Sequence, residues 1–441
     1  MQTSGVSPTL VDATGAEIRR STGAAGWRVV LLASLGGTLE FYDFVIFGIF
    51  AKDIADAIFP SPTPLVSLMV SFAAFAAGYL ARPIGGVVLS HFGDRYGRRR
   101  VFLASIFVMS GATLGMGLVP SFAAWGAAAS LLMTVLRLIQ GFCLGGEIPC
   151  ALTYVVETAP QQAPFVCSVV FSCVTLGVAA ATGVSLAVRT WLPSGLVASF
   201  GWRVAFALGG LGGVLSFMLR RSLEESPEFQ RMMQIASRKP FREVVGTHLG
   251  PVAVGVSILA ATGGFNGLFF AHMAAYASGV LGYDARQAVV SQTIGVVVHA
   301  LGILAVGRLA NEIRPRVLMR VGSLALTGLA FPFYAALAAR SVNPALLMML
   351  AGACAGLVNG TFAVLLTDLF PTRVRFSGVA LAFNVAFTVF SGTAPLVATS
   401  LIRSTGLSTA PAFVMVACGL LTLVGSLGLS REGGHVLAPA S

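Results

Sequence analysis

Residues 90–99 read SHFGDRYGRR, and this short charged stretch separates two long apolar stretches, 65–91 and 101–118. Each apolar stretch has about the 20 residues that an α-helix needs to cross the hydrocarbon core of a bilayer. The charged connection cannot lie in hydrocarbon, because charge is costly there. The segment therefore predicts two membrane-spanning helices that are joined by a loop at one membrane face.

The composition of the whole chain extends this prediction. Hydrophobic residues make up 56% of the 441 residues and charged residues only 10%, whereas soluble proteins carry about a quarter charged residues. This composition excludes an ordinary water-soluble enzyme. The chain carries 28 Lys+Arg against 17 Asp+Glu, a net charge of +11, and in a membrane protein such an excess is expected on loops rather than on a nucleic-acid surface.

Twelve apolar stretches predict an all-α integral membrane protein with twelve transmembrane helices. They run over 27–51, 65–91, 101–118, 124–153, 163–189, 201–219, 248–276, 286–306, 317–338, 344–367, 376–402 and 409–429. With a cytoplasmic N-terminus, 20 of the 28 basic residues fall on cytoplasmic segments and 6 on the opposite side. This bias predicts that both termini are cytoplasmic. Because residues 1–26 lack the apolar core of a signal peptide, the first helix is expected to remain in the membrane.

Two related halves are visible in the chain. The stretch at 90–99 has a counterpart, GRLANEIRPR at 307–316, and ETAP at 157–160 matches DLFP at 368–371. Six apolar stretches lie on each side of the longest polar interruption, as expected of a duplicated carrier. We therefore predict an N-terminal bundle at 27–219, a cytoplasmic linker at 220–246, a C-terminal bundle at 247–429, and cytoplasmic tails at 1–26 and 430–441.

The segment at 90–99 resembles the signature loop of the major facilitator superfamily. Other segments resemble its metabolite:proton symporter branch, which includes carriers of citrate, 2-oxoglutarate, shikimate and proline/betaine. They are LEFYDF at 39–44, RPIGG at 82–86, RLIQG at 137–141, GGE at 145–147, GWR at 201–203, RRSLEESPEF at 220–229 and FPTRVR at 370–375. The resemblance covers nearly the whole chain and implies the major facilitator fold in an inner (plasma) membrane.

Two carboxylates lie in the first predicted helix. Glu40 and Asp43 are three residues apart, hence on neighbouring positions of one helix face. Two close carboxylates in a medium of low dielectric constant cannot both ionise cheaply, so at least one is expected to hold a proton near neutral pH. We predict that they are the proton-coupling residues. The alternative is an ion pair or packing contact with Arg82 or Arg137.

Arg82 and Arg137 are the two basic residues that fall inside predicted helices. A guanidinium stays charged and binds a carboxylate through two parallel hydrogen bonds, which predicts contact with an anionic substrate. Internal neutralisation by Glu40, Asp43 and Glu147 is the alternative. Gln140 and Glu147 extend the same polar stripe and are also predicted to bind substrate.

The second half carries mostly neutral polar residues within its predicted helices. Asn266, His272, Asn359 and Asn384 are therefore predicted to supply hydrogen bonds to the substrate, while the first half handles charge. His272 is alternatively a packing residue, since a lone histidine near a helix end often makes only a structural hydrogen bond.

The loop at 90–99 is predicted to act as a conformational latch. Asp94, Arg95, Arg98 and Arg99 can pair with helix-terminal groups in one state and release them in another, and the resemblance links this loop to such control. Glu157 and Asp368 are the predicted partners. A purely topogenic role, in which the arginines keep the loop cytoplasmic, remains the alternative.

These features predict a secondary transporter that carries a small organic acid, such as a di- or tricarboxylate, together with protons by alternating access. Import of a zwitterionic osmolyte such as proline or betaine, and export by the same fold, are the alternatives. The chain shows no catalytic signature motif and no metal-ligand spacing, so we expect neither an enzyme nor a metal site nor a cofactor other than the proton gradient. The expected partners are substrate, H⁺ and lipid, without nucleic acid, and the expected functional unit is a monomer.

Overall fold

The computed structural model describes residues 24–96, 98–221 and 240–429, and these residues are almost entirely helical. Helices suit an apolar chain in a bilayer because every backbone N–H and C=O can be satisfied within one segment. In the first half of the chain, residues 24–221, the α-helices of four or more residues are α1 (Ala24–Ile49), α2 (Ala51–Ile58), α3 (Pro64–Tyr96), α4 (Arg98–Leu118), α5 (Phe122–Trp125), α6 (Ala127–Cys143), α7 (Glu147–Thr158), α8 (Ala163–Trp191) and α9 (Trp202–Arg221). A short π-helical segment, Val197–Gly201, precedes α9.

The second half, residues 240–429, contains further helices and two wider π-helical segments. The helices are α10 (Pro240–Thr247), α11 (Leu249–Ile258), α12 (Ala260–Phe265), α13 (Met273–Gly279), α14 (Ala285–Leu309), α15 (Pro315–Ala339), α16 (Pro344–Asn359), α17 (Phe362–Asp368), α18 (Arg375–Ala386), α19 (Ala394–Thr405) and α20 (Pro411–Leu427). The π-helical segments, Asn266–His272 and Phe387–Gly392, lie between α12 and α13 and between α18 and α19. We call them the 266–272 segment and the 387–392 segment.

Eight continuous helical stretches within the described ranges are long and apolar enough to cross a membrane. A ninth candidate consists of Leu249–Ile258 and Ala260–Gly279, which meet at an angle of 41°, and two shorter apolar helices cover Leu103–Leu118 and Pro411–Leu427. The predicted all-helical membrane architecture is therefore confirmed at this level.

Local sequence explains where several helices begin and end. The Asp284 carboxylate accepts a hydrogen bond from the Gln287 N–H at 2.9 Å and caps the start of α14, and Asn343 caps α16 in the same way through the Ala345 N–H. Gly406 ends α19 with φ 70°, a left-handed conformation that glycine adopts without steric cost.

The stretch at 90–99 is not the loop that the sequence predicted. Helix α3 continues to Tyr96 and α4 begins at Arg98, with only residue 97 outside the described ranges. Charged side chains end the apolar span but not the backbone hydrogen-bond ladder, so the helix continues beyond the apolar residues. The predicted linker at 220–246 likewise has helical ends, since α9 reaches Arg221 and α10 starts at Pro240, and its residues 222–239 lie outside the described part of the chain.

The helices approach each other most closely at glycine. A Cβ atom on Gly141 of α6 would lie 1.8 Å from the carbonyl oxygen of Gly78 on α3, and one on Gly85 of α3 would lie 1.8 Å from the carbonyl oxygen of Phe142. Small residues at such crossings let two backbones touch, which is the usual basis of helix packing in membranes. The α3–α6 contact fixes the relative positions of Arg82 and Arg137, which these helices carry.

The two halves of the chain meet along several helices. Ser172 of α8 donates a hydrogen bond to the Ala300 carbonyl of α14 at 2.9 Å, and Thr388 donates to the Tyr79 carbonyl of α3 at 2.8 Å. A Cβ atom on Gly48 of α1 would lie 2.7 Å from the Cα atom of Ala271 in the 266–272 segment. The first half therefore contacts the second through α1, α3 and α8.

Candidate functional site

Arg137 of α6 lies at the centre of an aromatic and polar cluster in the first half, and its side chain is 0% exposed. Its Nη2 donates to the Phe44 carbonyl at 2.9 Å, and its Nη1 donates to the side-chain oxygen of Gln140. The guanidinium carbon lies 3.8 Å from the ring centroid of Phe44 and 4.9 Å from those of Phe47 and Phe75. Aromatic faces stabilise the positive charge of Arg137 without neutralising it.

Arg82 of α3 is also buried, at 1% exposure. Its guanidinium carbon lies 5.2 Å from the ring centroid of Tyr79 and 5.6 Å from that of Phe44. Neither Nε nor Nη1 of Arg82 has a hydrogen-bond partner among the described residues. Because both guanidiniums lie against the Phe44 ring, the two arginines form one cationic site, which we call the arginine pair.

Asp43 of α1 is buried beside this cluster at 1% exposure, and Glu40, about one helical turn before it, is buried at 4% exposure. Within the described ranges, neither carboxylate oxygen of Asp43 has a hydrogen-bond partner, and the same holds for Oε2 of Glu40. Thr113 lies next to Asp43, but its hydroxyl donates to the Met109 carbonyl at 3.0 Å. The carboxylate of Asp43 faces α9, since a Cβ atom on Gly209 would lie 2.3 Å from Oδ1.

The ion pair between these carboxylates and the arginine pair, which the sequence left as an alternative, is not present among the described residues. The ion pairs found there join other groups. The site therefore holds two cations and two acids that do not neutralise each other by direct contact.

Gln140 connects three helices at this point. Its Nε2 donates to the Asp43 carbonyl at 3.1 Å and to the Thr113 hydroxyl at 2.9 Å, while its oxygen accepts from Arg137. The structure thus brings Gln140 to the predicted cluster, where it orients Arg137. Glu147 lies half-buried in the first turn of α7, beyond the break at residues 144–146.

Asn359 pairs with a histidine that the sequence analysis had not placed at the site. The Nδ1 atom of His299 lies 2.9 Å from the Gly352 carbonyl, and its Nε2 lies 2.9 Å from Nδ2 of Asn359. The His299 ring packs against Phe265 and Phe270 at centroid distances of 5.0 and 5.9 Å. Asn359 and His299 therefore flank the 266–272 segment.

Asn266 begins the 266–272 segment and is buried, and neither its Oδ1 nor its Nδ2 has a partner within the described part of the chain. Gln292 of α14 donates to the Phe269 and Phe270 carbonyls of the same segment at 2.6 and 2.9 Å. Gln292 was missed because Ser291 and Thr293 flank it, so the sequence does not single it out among the polar residues of α14. Its burial and its bonds to the π-helical backbone appear only after folding.

His272 and Asn384 lie apart from the Asn359–His299 pair. His272 Nε2 lies 3.1 Å from the Thr399 hydroxyl, and its ring stacks on Tyr276 with a centroid distance of 5.3 Å. Asn384 donates to the Gly145 carbonyl at 2.6 Å, across the contact between the two halves. The structure therefore does not gather all four predicted polar residues of the second half at one point.

Tyr79 is a further residue that the sequence analysis missed. Its hydroxyl accepts a hydrogen bond from Ser391 of the 387–392 segment at 3.0 Å, while its ring lies under the Arg82 guanidinium. The spacing of three residues between Tyr79 and Arg82, which places both on one helix face, was the available signal.

The predicted latch is described only in part. The side chains of Asp94, Arg95, Arg98 and Arg99 lie outside the described residues. Glu157, at the end of α7, accepts a hydrogen bond from Nη1 of Arg375 in the second half at 2.8 Å. Asp368 ends α17. The observed partner of Glu157 is thus Arg375, the first residue of α18. The sequence analysis had not proposed Arg375 for this role.

Comparison with known proteins gives one consistent family. The model of the Major Facilitator Superfamily matches residues 33–395. The chain is 31% identical over 434 residues to a citrate-proton symporter of Klebsiella pneumoniae, covering 96% of this chain and 97% of the other. It is 28% identical over 429 residues to a proline/betaine transporter of Salmonella typhimurium, covering 94% and 85%.

Solved structures agree on the fold. The D-xylose-proton symporter superposes with a TM-score of 0.73 at 18% identity, covering 94% of this chain and 99% of the other. A bacterial homologue of the human lysosomal transporter Spinster, in an inward-facing conformation, superposes with a TM-score of 0.62 at 17% identity, covering 95% and 100%.

Proposed function

The chain belongs to the Major Facilitator Superfamily as a multi-pass protein of the cytoplasmic membrane, and from this premise we propose that it is a proton-coupled symporter of a small organic acid. Transport proceeds by alternating access. A citrate-proton symporter among its relatives supports proton coupling and an acidic substrate. The proposal includes twelve transmembrane helices in two six-helix bundles, 27–219 and 247–429, with both termini cytoplasmic, as the distribution of basic residues indicates.

The arginine pair is the observation that carries this proposal. A buried charge without a counterion is strongly unfavourable, and Arg82 and Arg137 have no carboxylate partner among the described residues. A substrate carboxylate between them would supply the missing negative charge through charge-assisted hydrogen bonds. The free Nε–H and Nη1–H of Arg82 and the free Nε–H of Arg137 can donate those bonds.

Asp43 and Glu40 carry the coupling proton in this proposal. A buried carboxyl group without hydrogen-bond donors is more stable when neutral than when charged, so Asp43 binds a proton while it is enclosed. Exposure to water on one side permits release of that proton. Proton binding at Asp43 and substrate binding at the neighbouring arginine pair are then coupled, because each depends on the charge of the same small region.

The ion pair between Glu157 and Arg375 closes one end of the contact between the halves in this mechanism. In the proposed topology this end faces the cytoplasm. Separation of the pair, together with the segment at 90–99, opens the site to the cell interior. The expected working unit is a monomer, with the proton gradient as its energy source and no other cofactor.

Two alternatives use the same site. Relatives that include a proline/betaine transporter favour a zwitterionic osmolyte, whose carboxylate also fits the arginine pair. The aromatic rings that would hold a quaternary amine, however, are occupied by the two guanidiniums. Export by the same fold is the second alternative.

Reconstitution tests the proposal. Purified protein in proteoliposomes with an acidic exterior should accumulate labelled di- or tricarboxylate, and an uncoupler that collapses the pH gradient should abolish accumulation. Protein-free liposomes and the Arg137→Ala variant serve as controls. Uptake that persists unchanged without the gradient would overturn proton symport, and unchanged uptake by Arg137→Ala would remove the arginine pair from the site.

A further inference from the structure

Helix α3 contains a proline that leaves one backbone carbonyl without its usual partner. In an α-helix each carbonyl accepts a hydrogen bond from the N–H four residues later. Pro83 has no N–H, so the carbonyl of Tyr79 lacks this bond. The hydroxyl of Thr388, in the 387–392 segment, donates to the Tyr79 carbonyl at 2.8 Å instead. The proline of the first half therefore creates an acceptor that the second half occupies.

The side chain of Tyr79 contacts the same segment. Its hydroxyl accepts a hydrogen bond from Ser391 at 3.0 Å, and a Cβ atom on Gly392 would lie 2.5 Å from the Cβ atom of Tyr79. Tyr79 is 2% exposed, so water does not compete for these bonds in this conformation. Two hydroxyl groups of the 387–392 segment thus bond both the backbone and the side chain of one tyrosine across the contact between the halves.

The ring of Tyr79 belongs to the aromatic group around the arginine pair. It lies 5.2 Å from the guanidinium carbon of Arg82 and meets the Phe44 ring edge-on at a centroid distance of 4.6 Å. The preceding residue, Gly78, packs against Arg137, since a Cβ atom there would lie 3.1 Å from Nε of Arg137. Tyr79 and its neighbour therefore contact both members of the arginine pair.

The 387–392 segment in turn contacts the 266–272 segment. A Cβ atom on Gly267 would lie 2.4 Å from the carbonyl oxygen of Ser391. Both segments are π-helical, and such turns are frequent at functional sites. A movement of Tyr79 would consequently reach both π-helical segments of the second half through Ser391.

We propose that Tyr79 is a positioning residue that couples the arginine pair to the contact between the halves, and that Pro83 keeps its carbonyl available for Thr388. This inference rests on the proposed function. A substrate carboxylate competes with the Tyr79 ring for the Arg82 guanidinium, because a negative charge attracts a cation more strongly than an aromatic face does. The ring then moves, and the geometry of its hydroxyl bond to the second half changes with it.

Hydrogen–deuterium exchange of the purified full-length protein tests this coupling without any substrate. Tyr79→Phe keeps the ring and removes the hydroxyl, so exchange in the 387–392 segment should become about two- to tenfold faster, as the loss of one hydrogen bond predicts. Arg82→Met should also change exchange there, because it removes the charge that attracts the ring. In the double variant, Arg82→Met should add nothing to the effect of Tyr79→Phe.

Transport distinguishes positioning from binding. With citrate as the probe in proteoliposomes, Tyr79→Phe should lower the maximal rate about two- to tenfold and change the KM by less than about twofold, since the arginine pair is intact. Ser391→Ala removes the same hydrogen bond from the other side and should have the same effect. The double variant should be no slower than either single variant. If Tyr79→Phe does not fold, Ser391→Ala takes its place in both measurements.

Pro83→Ala tests the carbonyl. It supplies an N–H that bonds the Tyr79 carbonyl within α3, so the bond from Thr388 should weaken and transport should slow. The melting temperature should not fall, because proline disfavours a helix interior. Pro332→Ala is the matched control, since Pro332 also lies inside a helix, α15, at an exposed position, and it should leave the transport rate unchanged.

Tyr283 supplies the matched control for the hydroxyl. Its hydroxyl donates to the Leu337 carbonyl at 2.8 Å, and its ring lies 4.7 Å from the guanidinium carbon of Arg340, all within the second half. Tyr283→Phe therefore loses the same kind of bond beside an arginine. It should leave exchange in the 387–392 segment and the transport rate unchanged.

The outcomes separate the two proposals. Additive effects of Arg82→Met and Tyr79→Phe on exchange, or an unchanged maximal rate in Tyr79→Phe, would overturn the coupling role and leave the organic-acid symporter intact. A KM that rises as much as the rate falls would make Tyr79 a binding residue and would overturn it as well. Absence of gradient-driven uptake by the wild-type protein would contradict the proposed function, while the exchange experiment still decides whether Arg82 acts through Tyr79.

Discussion

Arg82 is the clearest functional residue of the chain because its positive charge is buried without a carboxylate partner among the described residues. Stability alone does not favour this arrangement, since an apolar residue of similar volume is often as stable as a buried ion or more so. Its presence in a membrane span therefore points to a ligand.

Replacement of Arg82 separates function from stability. Arg82→Met should weaken binding of the organic acid at least tenfold, since hydrogen bonds to charged groups contribute about 1.5–3 kcal/mol. The melting temperature should stay equal or rise, because an uncompensated buried charge is removed. Both are measured on detergent-purified protein by ligand titration and by thermal unfolding.

Arg203 offers the matched control. It donates to the carbonyls of Gly117 and Val119, at the end of α4, so Arg203→Met should lower the melting temperature and leave affinity for the acid unchanged. A lower melting temperature of Arg82→Met without loss of affinity would show that Arg82 is structural.

Asp43 should control coupling rather than binding. Asp43→Asn cannot take up a proton, so accumulation of the acid in proteoliposomes should fall to an inside-to-outside ratio of about one, while exchange of external for internal substrate continues. Wild-type accumulation should increase as the external pH falls, and that of the variant should not respond to pH. Glu40→Gln tests the second carboxylate in the same assay.

Asp53 provides the control for this prediction. Its carboxylate binds Arg189 at 2.5 Å, within the first half and outside the candidate site. Asp53→Asn should lose stability and keep its dependence on the pH gradient. Gradient-driven accumulation by Asp43→Asn would contradict the assigned role of Asp43.

At the scale of elements, the interrupted helices carry most of the candidate chemistry. Asn266 begins a π-helical segment, Asn359 ends α16 immediately before a break, and Glu147 begins α7 immediately after one. Wider or broken turns free backbone groups and redirect side chains, which is why such segments are frequent at functional sites. The apolar pattern predicted these spans but not their interruptions.

Glu157 near the end of α7 and Arg375 at the start of α18 form the proposed latch between the halves. Glu157→Gln or Arg375→Gln should lower the transport rate about tenfold, because each leaves a nearly buried charge without its partner. The double variant that exchanges the two residues, Glu157→Arg with Arg375→Glu, should recover part of the rate, because residues in contact are energetically coupled and the reversed charges can pair again. Initial uptake rates in proteoliposomes measure both effects.

A neighbouring ion pair supplies the comparison. Arg373 binds Glu243 of α10 within the second half, and its side chain is 67% exposed. Exposed pairs contribute about 1 kcal/mol or less, so Arg373→Gln should change the rate by less than about threefold. Equal effects at Arg373 and Arg375 would mean that closure between the halves does not depend on the Glu157–Arg375 contact.

At the scale of the whole molecule, the two halves supply different chemistry. The first half provides cations and acids on α1, α3 and α6, and the second provides amides around the 266–272 segment. Tyr79 joins them, since it lies under Arg82 and bonds Ser391 of the second half. Binding at the arginine pair can therefore influence the contact between the halves directly.

The sequence alone determined that the chain is an all-α membrane protein of this superfamily, because apolar length, the scarcity of charge and the order of its motifs are properties of the linear chain. It also pointed to Glu40, Asp43, Arg82 and Arg137, since any charge inside an apolar span is exceptional. These inferences need no knowledge of which helices touch.

Only the tertiary structure decided which polar groups are paired. The sequence left an ion pair between the carboxylates and the arginines open, and it could not identify Arg375 as the partner of Glu157 or His299 as the partner of Asn359. Hydrogen bonds and ion pairs depend on distances of about 3 Å between atoms of different helices. Those distances follow from helix packing, and that packing is set by close backbone contacts such as Gly141 against Gly78, which the linear sequence does not reveal.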